Sequence, residues 1–210
     1  KVKVQYFDLS LRKWVTQAIV TENGEDKIIE SGHKAEDDPE DVVKVDLKKS
    51  KINKVTIKFR YKIRVKNEGN IAGYAKELKD YIPNGLKFVP EDNPLWKQID
   101  EKTITTDQTK DILLQPGDTT EVEVLLTWIN DSENFGVMDN WAEISKDHND
   151  FNSPDIDSTP DNNKKGEDDI DDAPVSVGVQ TGQIKTFTTI GLAVLVILSS
   201  GVVLIKKFVL

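Results

Sequence analysis

The chain has 210 residues, with 28 Lys and Arg against 37 Asp and Glu, a net charge of −9, two His and no Cys. That balance excludes a nucleic-acid binder, which needs a basic face to neutralise phosphates. The missing thiols exclude disulfides, thiolate catalysis and Cys-ligated zinc.

At about 150 residues per domain the length accommodates one domain or two small ones. With Lys1 first and Met138 the only methionine, the stretch is expected to be the C-terminal piece of a longer protein. Taken in order, the first apolar alternation is Phe7-Leu9-Leu11, continued in phase by Lys13 and Val15. Residues 22–40 are polar and charged and predict a surface loop or hairpin insertion. Val55, Ile57, Phe59, Tyr61, Ile63 and Val65 then alternate with Thr, Lys and Arg. Such a period of two means a long strand with one buried and one solvated face. The pattern returns at Leu78-Ile82, Val122-Val124-Leu126-Trp128 and Ala142-Ile144, with turn signals at Asn67-Glu68-Gly69, Pro83-Asn84-Gly85, Pro116-Gly117-Asp118 and Asn130-Asp131. No segment before 186 holds a helical repeat for three turns. Many short strands separated by Gly, Pro and Asn predict an all-β, antiparallel two-sheet sandwich over residues 1–148.

An acidic segment follows and introduces a final alternating stretch, Val175-Val177-Val179, so that 149–179 forms one unit. Residues 180–186 are a juxtamembrane spacer. Phe187 to Ile205 carries no charge over 19 residues. As a helix it would be roughly 28 Å long, close to the ~30 Å hydrocarbon core of a bilayer. Lys206 and Lys207 follow it and, by the positive-inside rule, place 206–210 in the cytoplasm and the body outside the cell. The bilayer is thus an expected partner, and the cell membrane the expected location.

Three polar residues fall on inward-facing phases: Lys13 with Leu9 and Leu11, Asp80 with Leu78 and Ile82, and Asn140 with Ala142 and Ile144. An unpaired charge facing a core costs several kcal/mol, so each needs a partner. One reading makes them partners of one another. A Lys amine made neutral by burial is a nucleophile, and a neighbouring carboxyl can shuttle protons while the Asn carboxamide is attacked. The product is a Lys–Asn amide crosslink with ammonia released. By analogy with disulfides, closing so long a loop contributes roughly 5 kcal/mol. The other reading is structural: Lys13 snorkels from a strand end, Asp80 caps a turn and Asn140 satisfies a bend.

Between the last strands lie Asp155, Asp157 and Asp161, then Glu167, Asp168 and Asp169. Hard cations take six to eight oxygens, and this spacing suits calcium, although it lacks the EF-hand glycine and terminal Glu. The alternative is a solvated, self-repelling linker. His33 and His148 stand in separate polar loops and give no basis for a His-based metal site or triad.

The runs Tyr61 to Gly69, Lys79 to Val89, Leu114 to Asp118 and Asn140 to Ile144 resemble the conserved-repeat domain of unknown function of Gram-positive surface proteins. Asp155-x-Asp157-Ser158-Thr159-Pro160 with Glu167-Asp168-Asp169 looks like that family's acidic tail, and Phe7 to Lys13 is similar to the first strand of clostridial members. The resemblance covers roughly residues 5 to 175. It implies an immunoglobulin-like sandwich, often in tandem with upstream repeats of the same chain, serving as stalk or adhesin. Related pilin and adhesin modules form Lys–Asn isopeptide bonds between a first-strand Lys and a last-strand Asn, which correspond here to Lys13 and Asn140, with an acid assisting. One departure concerns anchoring: Gly178-Val179-Gln180-Thr181-Gly182 stands where a sortase substrate has Leu-Pro-x-Thr-Gly. A retained membrane helix is therefore expected.

The first functional expectation is a membrane-proximal structural stalk. The alternative is an adhesin that recognises a host protein or glycan through an exposed aromatic patch. Its candidates are Trp14, Trp96, Trp128 and Trp141, of which Trp128 is in phase with its strand's core. An enzyme is not expected, since no nucleophile–base spacing occurs.

Overall fold

The computed structural model describes residues 4–180. These form eleven strands: β1 Leu9–Glu22, β2 Glu25–Glu30, β3 Val43–Leu47, β4 Val55–Asn67, β5 Tyr74–Tyr81, β6 Leu86–Phe88, β7 Lys97–Gln98, β8 Thr103–Thr106, β9 Thr119–Trp128, β10 Gly136–His148 and β11 Ile170–Val179. They assemble into a five-stranded sheet, ordered β2-β1-β4-β9-β6, and a six-stranded sheet, ordered β3-β11-β10-β5-β8-β7. The expected alternation in β4 is fully realised. Val55, Ile57, Phe59, Tyr61, Ile63 and Val65 are buried, whereas Arg60, Lys62 and Arg64 face outward to Glu121 and Glu123 of β9. Inward residues of both sheets meet in one core, with Phe7, Leu9, Leu11, Leu78, Leu126 and Val175 among its most buried members. The described residues form an all-β two-sheet sandwich.

Two features correct the sequence reading. The sandwich is not wholly antiparallel, because β3 runs parallel to β11 from Val43 opposite Val175 to Leu47 opposite Val179. Val43, Val45 and Leu47 alternate inward and bury against the core, a five-residue signal hidden among charged neighbours. Nor does Asn140 stand on the last core strand. It lies on β10, which is flanked on both sides by β11 and β5. The later strand β11 contributes the fully buried Ala173, Val175 and Val177.

Within residues 22–40, β2 folds back on the second half of β1 across Asn23-Gly24, both at positive φ. This is the two-residue hairpin turn that Asn-Gly favours. The first half of β1 has β4 on one side and no strand on the other. Its N–H groups there donate to acceptors from loops and side chains: Leu9 to Asp155 Oδ2 at 2.8 Å, Leu11 to the Asp168 carbonyl at 2.7 Å, Lys13 to Asp171 Oδ2 at 2.8 Å and Val15 to Glu40 Oε1 at 3.3 Å. Buried backbone donors need such partners.

The expected membrane span, residues 187–205, lies outside the described residues, as do its tail and most of its spacer. Among the described residues no helix is long and apolar enough to cross a membrane.

Candidate functional site

The two sheets bring Lys13, Asp80 and Asn140 together at the centre of the core. β1 carries Lys13 inward from one sheet, in phase with Leu9 and Leu11, before the irregularity between Val15 and Gln17 changes the strand's register. β5 and β10 are neighbours in the other sheet, where Asp80 pairs with Ala142. Asn140, two residues from Ala142, therefore shares its face and sits diagonally beside Asp80. Lys13 is 2 % exposed, and Asp80 and Asn140 are wholly buried.

The Lys13 ammonium donates to Asp80 Oδ2 at 2.6 Å. The Asn140 amide is oriented by its hydrogen bonds, as it must be where O and N are alike in shape. Its oxygen accepts from Lys13 Nζ at 2.7 Å, and its nitrogen donates to Asp80 Oδ1 at 2.9 Å and to the Tyr81 carbonyl at 3.0 Å. Amine, carboxyl and carboxamide thus close a ring of hydrogen bonds. Nζ also lies 5.0 Å from the centre of the Tyr61 ring, a stabilising cation–π contact.

Burial pushes the Lys13 amine below its ordinary range, against the opposing pull of Asp80. Burial likewise pushes the Asp80 carboxyl up, against Lys13 and the Asn140 amide. Both displacements favour the neutral pair, amine plus carboxylic acid, over the ion pair. Desolvation also raises the Tyr61 phenol well above its usual value, so the ring stays neutral.

The acidic segment is compact. Asp8, Asp155, Asp157 and Asp168 each offer a carboxylate oxygen within 4.8 Å of the others. Three of these belong to the set expected from sequence. Asp8 was missed: it precedes β1 on the outward phase, and only the parallel bridge between Phe7 and Asp155 brings it there. The remaining three expected ligands stand outside the quartet. Asp161 pairs with Lys79 on β5. Glu167 is held down to about 2 by hydrogen bonds from Lys164, Asn162 and the Thr159 N–H. Asp169 is 2 % exposed, beside Glu143, Glu167, Asp155 and Asp168, and burial raises it to about 7.

The four tryptophans form no open aromatic patch. Trp96 and Trp128 are buried, their indole N–H groups donating to the carbonyls of Glu123 and Asn134. Trp14 points outward yet is only 5 % exposed, with the Arg64 guanidinium stacked 5.4 Å from its ring. Trp141 is half-buried beneath the Lys165 ammonium, 3.9 Å away.

No protein-family model matches the chain, and no curated protein matches it. Among solved structures, the chain is similar to the CARDB domain of a Pyrococcus furiosus protein, solved in complex with di-metal ions. Identity is 13 %, with 85 % of this chain and all of that one covered, at a TM-score of 0.35. It is also similar to BslA, a bacterial hydrophobin, at 13 % identity, 82 % and 97 % coverage and a TM-score of 0.36. A β-glucosidase from Listeria innocua in complex with glucose matches at 14 % identity over 84 % of this chain and 17 % of its own, with a TM-score of 0.31.

Proposed function

We propose that this domain is an extracellular stalk module of a bacterial surface protein, tethered to the membrane through residues 187–205 and stapled internally by a Lys13–Asn140 isopeptide bond. The observation that carries the reading is the Lys13 amine, enclosed in the core within hydrogen-bond reach of both Asp80 and Asn140. A buried ion pair alone is a poor source of stability. A buried amine held against a carboxamide is, by contrast, placed for acyl transfer.

The step balances as follows. Asp80 takes a proton from the Lys13 ammonium, leaving a neutral amine and a carboxylic acid. Nζ attacks Cγ of Asn140, and the carbonyl oxygen takes up the developing negative charge. The Asp80 carboxyl, whose Oδ1 lies 2.9 Å from Nδ2, delivers its proton to that nitrogen and, a carboxylate again, takes up the proton that Nζ sheds. The Cγ–Nδ2 bond breaks, ammonia leaves, and an amide joins β1 of one sheet to β10 of the other. The exclusion of water protects the attack from hydrolysis.

Intact mass spectrometry of the full chain tests this. The wild type should be lighter than its sequence by about 17 Da, one ammonia lost in forming the amide. Asn140→Ala and Lys13→Arg should each show their full masses. A wild type of full mass, with Lys13 and Asn140 recovered on separate peptides, overturns the staple. The adhesin alternative draws less support, because three of its four tryptophans are buried and Trp141 is half-buried.

A further inference from the structure

The loop that joins β10 to β11 holds a second polar cluster, opposite in character to the first. The ligand oxygens of Asp8, Asp155, Asp157 and Asp168 converge within 4.8 Å. Acidic clusters are common without an ion, and this one would mean little if its oxygens were hydrogen-bonded. They are not. Among the described residues, eight buried side-chain oxygens lack a hydrogen-bond partner, and five belong to this loop and its contact with Asp8: Asp8 Oδ1, Ser158 Oγ, Asp168 Oδ1 and both oxygens of Asp169.

Ser158 and Asp169 matter most. They are 9 % and 2 % exposed, and neither belongs to the quartet. The Ser158 N–H donates to Asp155 Oδ1, which places this residue, with its buried and unpartnered hydroxyl, beside the cluster. Asp169 follows Asp168 directly and feels the charges of Glu143 and Glu167 and, less strongly, those of Asp155 and Asp168. Leaving such atoms dry and unpaired costs about 1–3 kcal/mol each. Lys66, the cation that acts on Asp8, is already paired with Glu68.

We infer that Asp8, Asp155, Asp157 and Asp168 bind one calcium-sized hard divalent cation, with Ser158 Oγ and Asp169 as adjoining oxygen donors. Oxygens lying within 4.8 Å of one another fit around a calcium ion, whose ligands at about 2.4 Å are at most about 4.8 Å apart. A set of several carboxylates with a hydroxyl suits calcium's six to eight oxygens better than magnesium, which keeps several waters. The cation would fasten the entry of β1 to the loop leading into β11. That is the edge along which Leu9 and Leu11 bond to Asp155 and Asp168.

The test uses the purified full chain after chelator treatment. Calorimetric titration with calcium chloride should give one site per chain, and saturating calcium should raise Tm by roughly 5 °C or more over the chelated protein. Asp157→Asn alters an exposed carboxylate, so the fold should persist, and both heat and shift should vanish. Asp150→Asn, on a loop outside the quartet, should keep both. Equal Tm in calcium and chelator, a shift retained in Asp157→Asn, or an equal response to magnesium overturns the assignment. The staple is read separately by mass, so calcium binding in an uncrosslinked protein would overturn the crosslink alone.

Discussion

The two polar clusters solve opposite problems. In the buried core, one amine, one acid and one amide satisfy each other within 3 Å and carry no net charge. At the β10–β11 loop four acids crowd together, and burial pushes Asp8 up to about 6 and Asp168 to about 7. A balanced set shielded from water is suited to reacting with itself. An unbalanced set needs a counter-charge from outside, either protons or a metal. The same desolvation acts on both clusters, and composition decides which chemistry follows.

The largest effect should come from breaking the balanced cluster. Asp80→Ala leaves the Lys13 amine in the core without its main partner and also removes the proton carrier. Denaturant unfolding should show a loss of about 3–5 kcal/mol from breaking the buried pair, beyond that of the missing crosslink, and the mass should be that of the open chain. Asn140→Ala keeps the ion pair but cannot form the amide. Its unfolding free energy should fall by roughly 5 kcal/mol, the loop-closure contribution of the staple. A wild-type chain and an Asn140→Ala chain of equal stability would break the comparison.

Glu40 lies between the two extremes, an acid with partners that is still displaced. It accepts from Val15 N–H and contacts His33 Nδ1 at 2.9 Å, yet burial raises it to about 8, helped by Asp171, Asp172 and Asp37. Because its folded pKa lies above the ordinary 4.5, the fold favours the protonated form. Its stabilising effect is complete below the unfolded value and is lost as pH rises toward 8. Glu40→Gln should flatten that slope and stabilise the protein at pH 8 by about 2 kcal/mol, measured by unfolding across the interval. The smallest effect belongs to Asp161→Asn. Its pair with Lys79 is half exposed, so stability should fall by less than about 1 kcal/mol and the calcium shift should persist.

The inward phases of Lys13, Asp80 and Asn140 were legible in the sequence because strand alternation is strictly two-fold. The one irregularity in β1, between Val15 and Gln17, comes after Lys13. What alternation cannot show is which sheet a strand joins, so neither the parallel β3–β11 pair nor the central place of β10 could be read. Asp8 was hidden for the same reason: its partners lie about 150 residues away, and no local period links them. Trp14 illustrates a further limit. Its phase is outward, but a cross-strand arginine covers it, and cover depends on side-chain packing rather than on period.

The first half of β1 has a further consequence for how copies of this domain meet one another. An extended strand with free N–H groups is an invitation to intermolecular sheet growth. Here those groups are occupied by the carboxyl groups of Asp155, Asp171 and Glu40 and by the Asp168 carbonyl. An invading strand from a second molecule would have to displace all four acceptors before its own carbonyl oxygens could reach those N–H groups. Sheet growth between copies along that side is therefore blocked from within the domain.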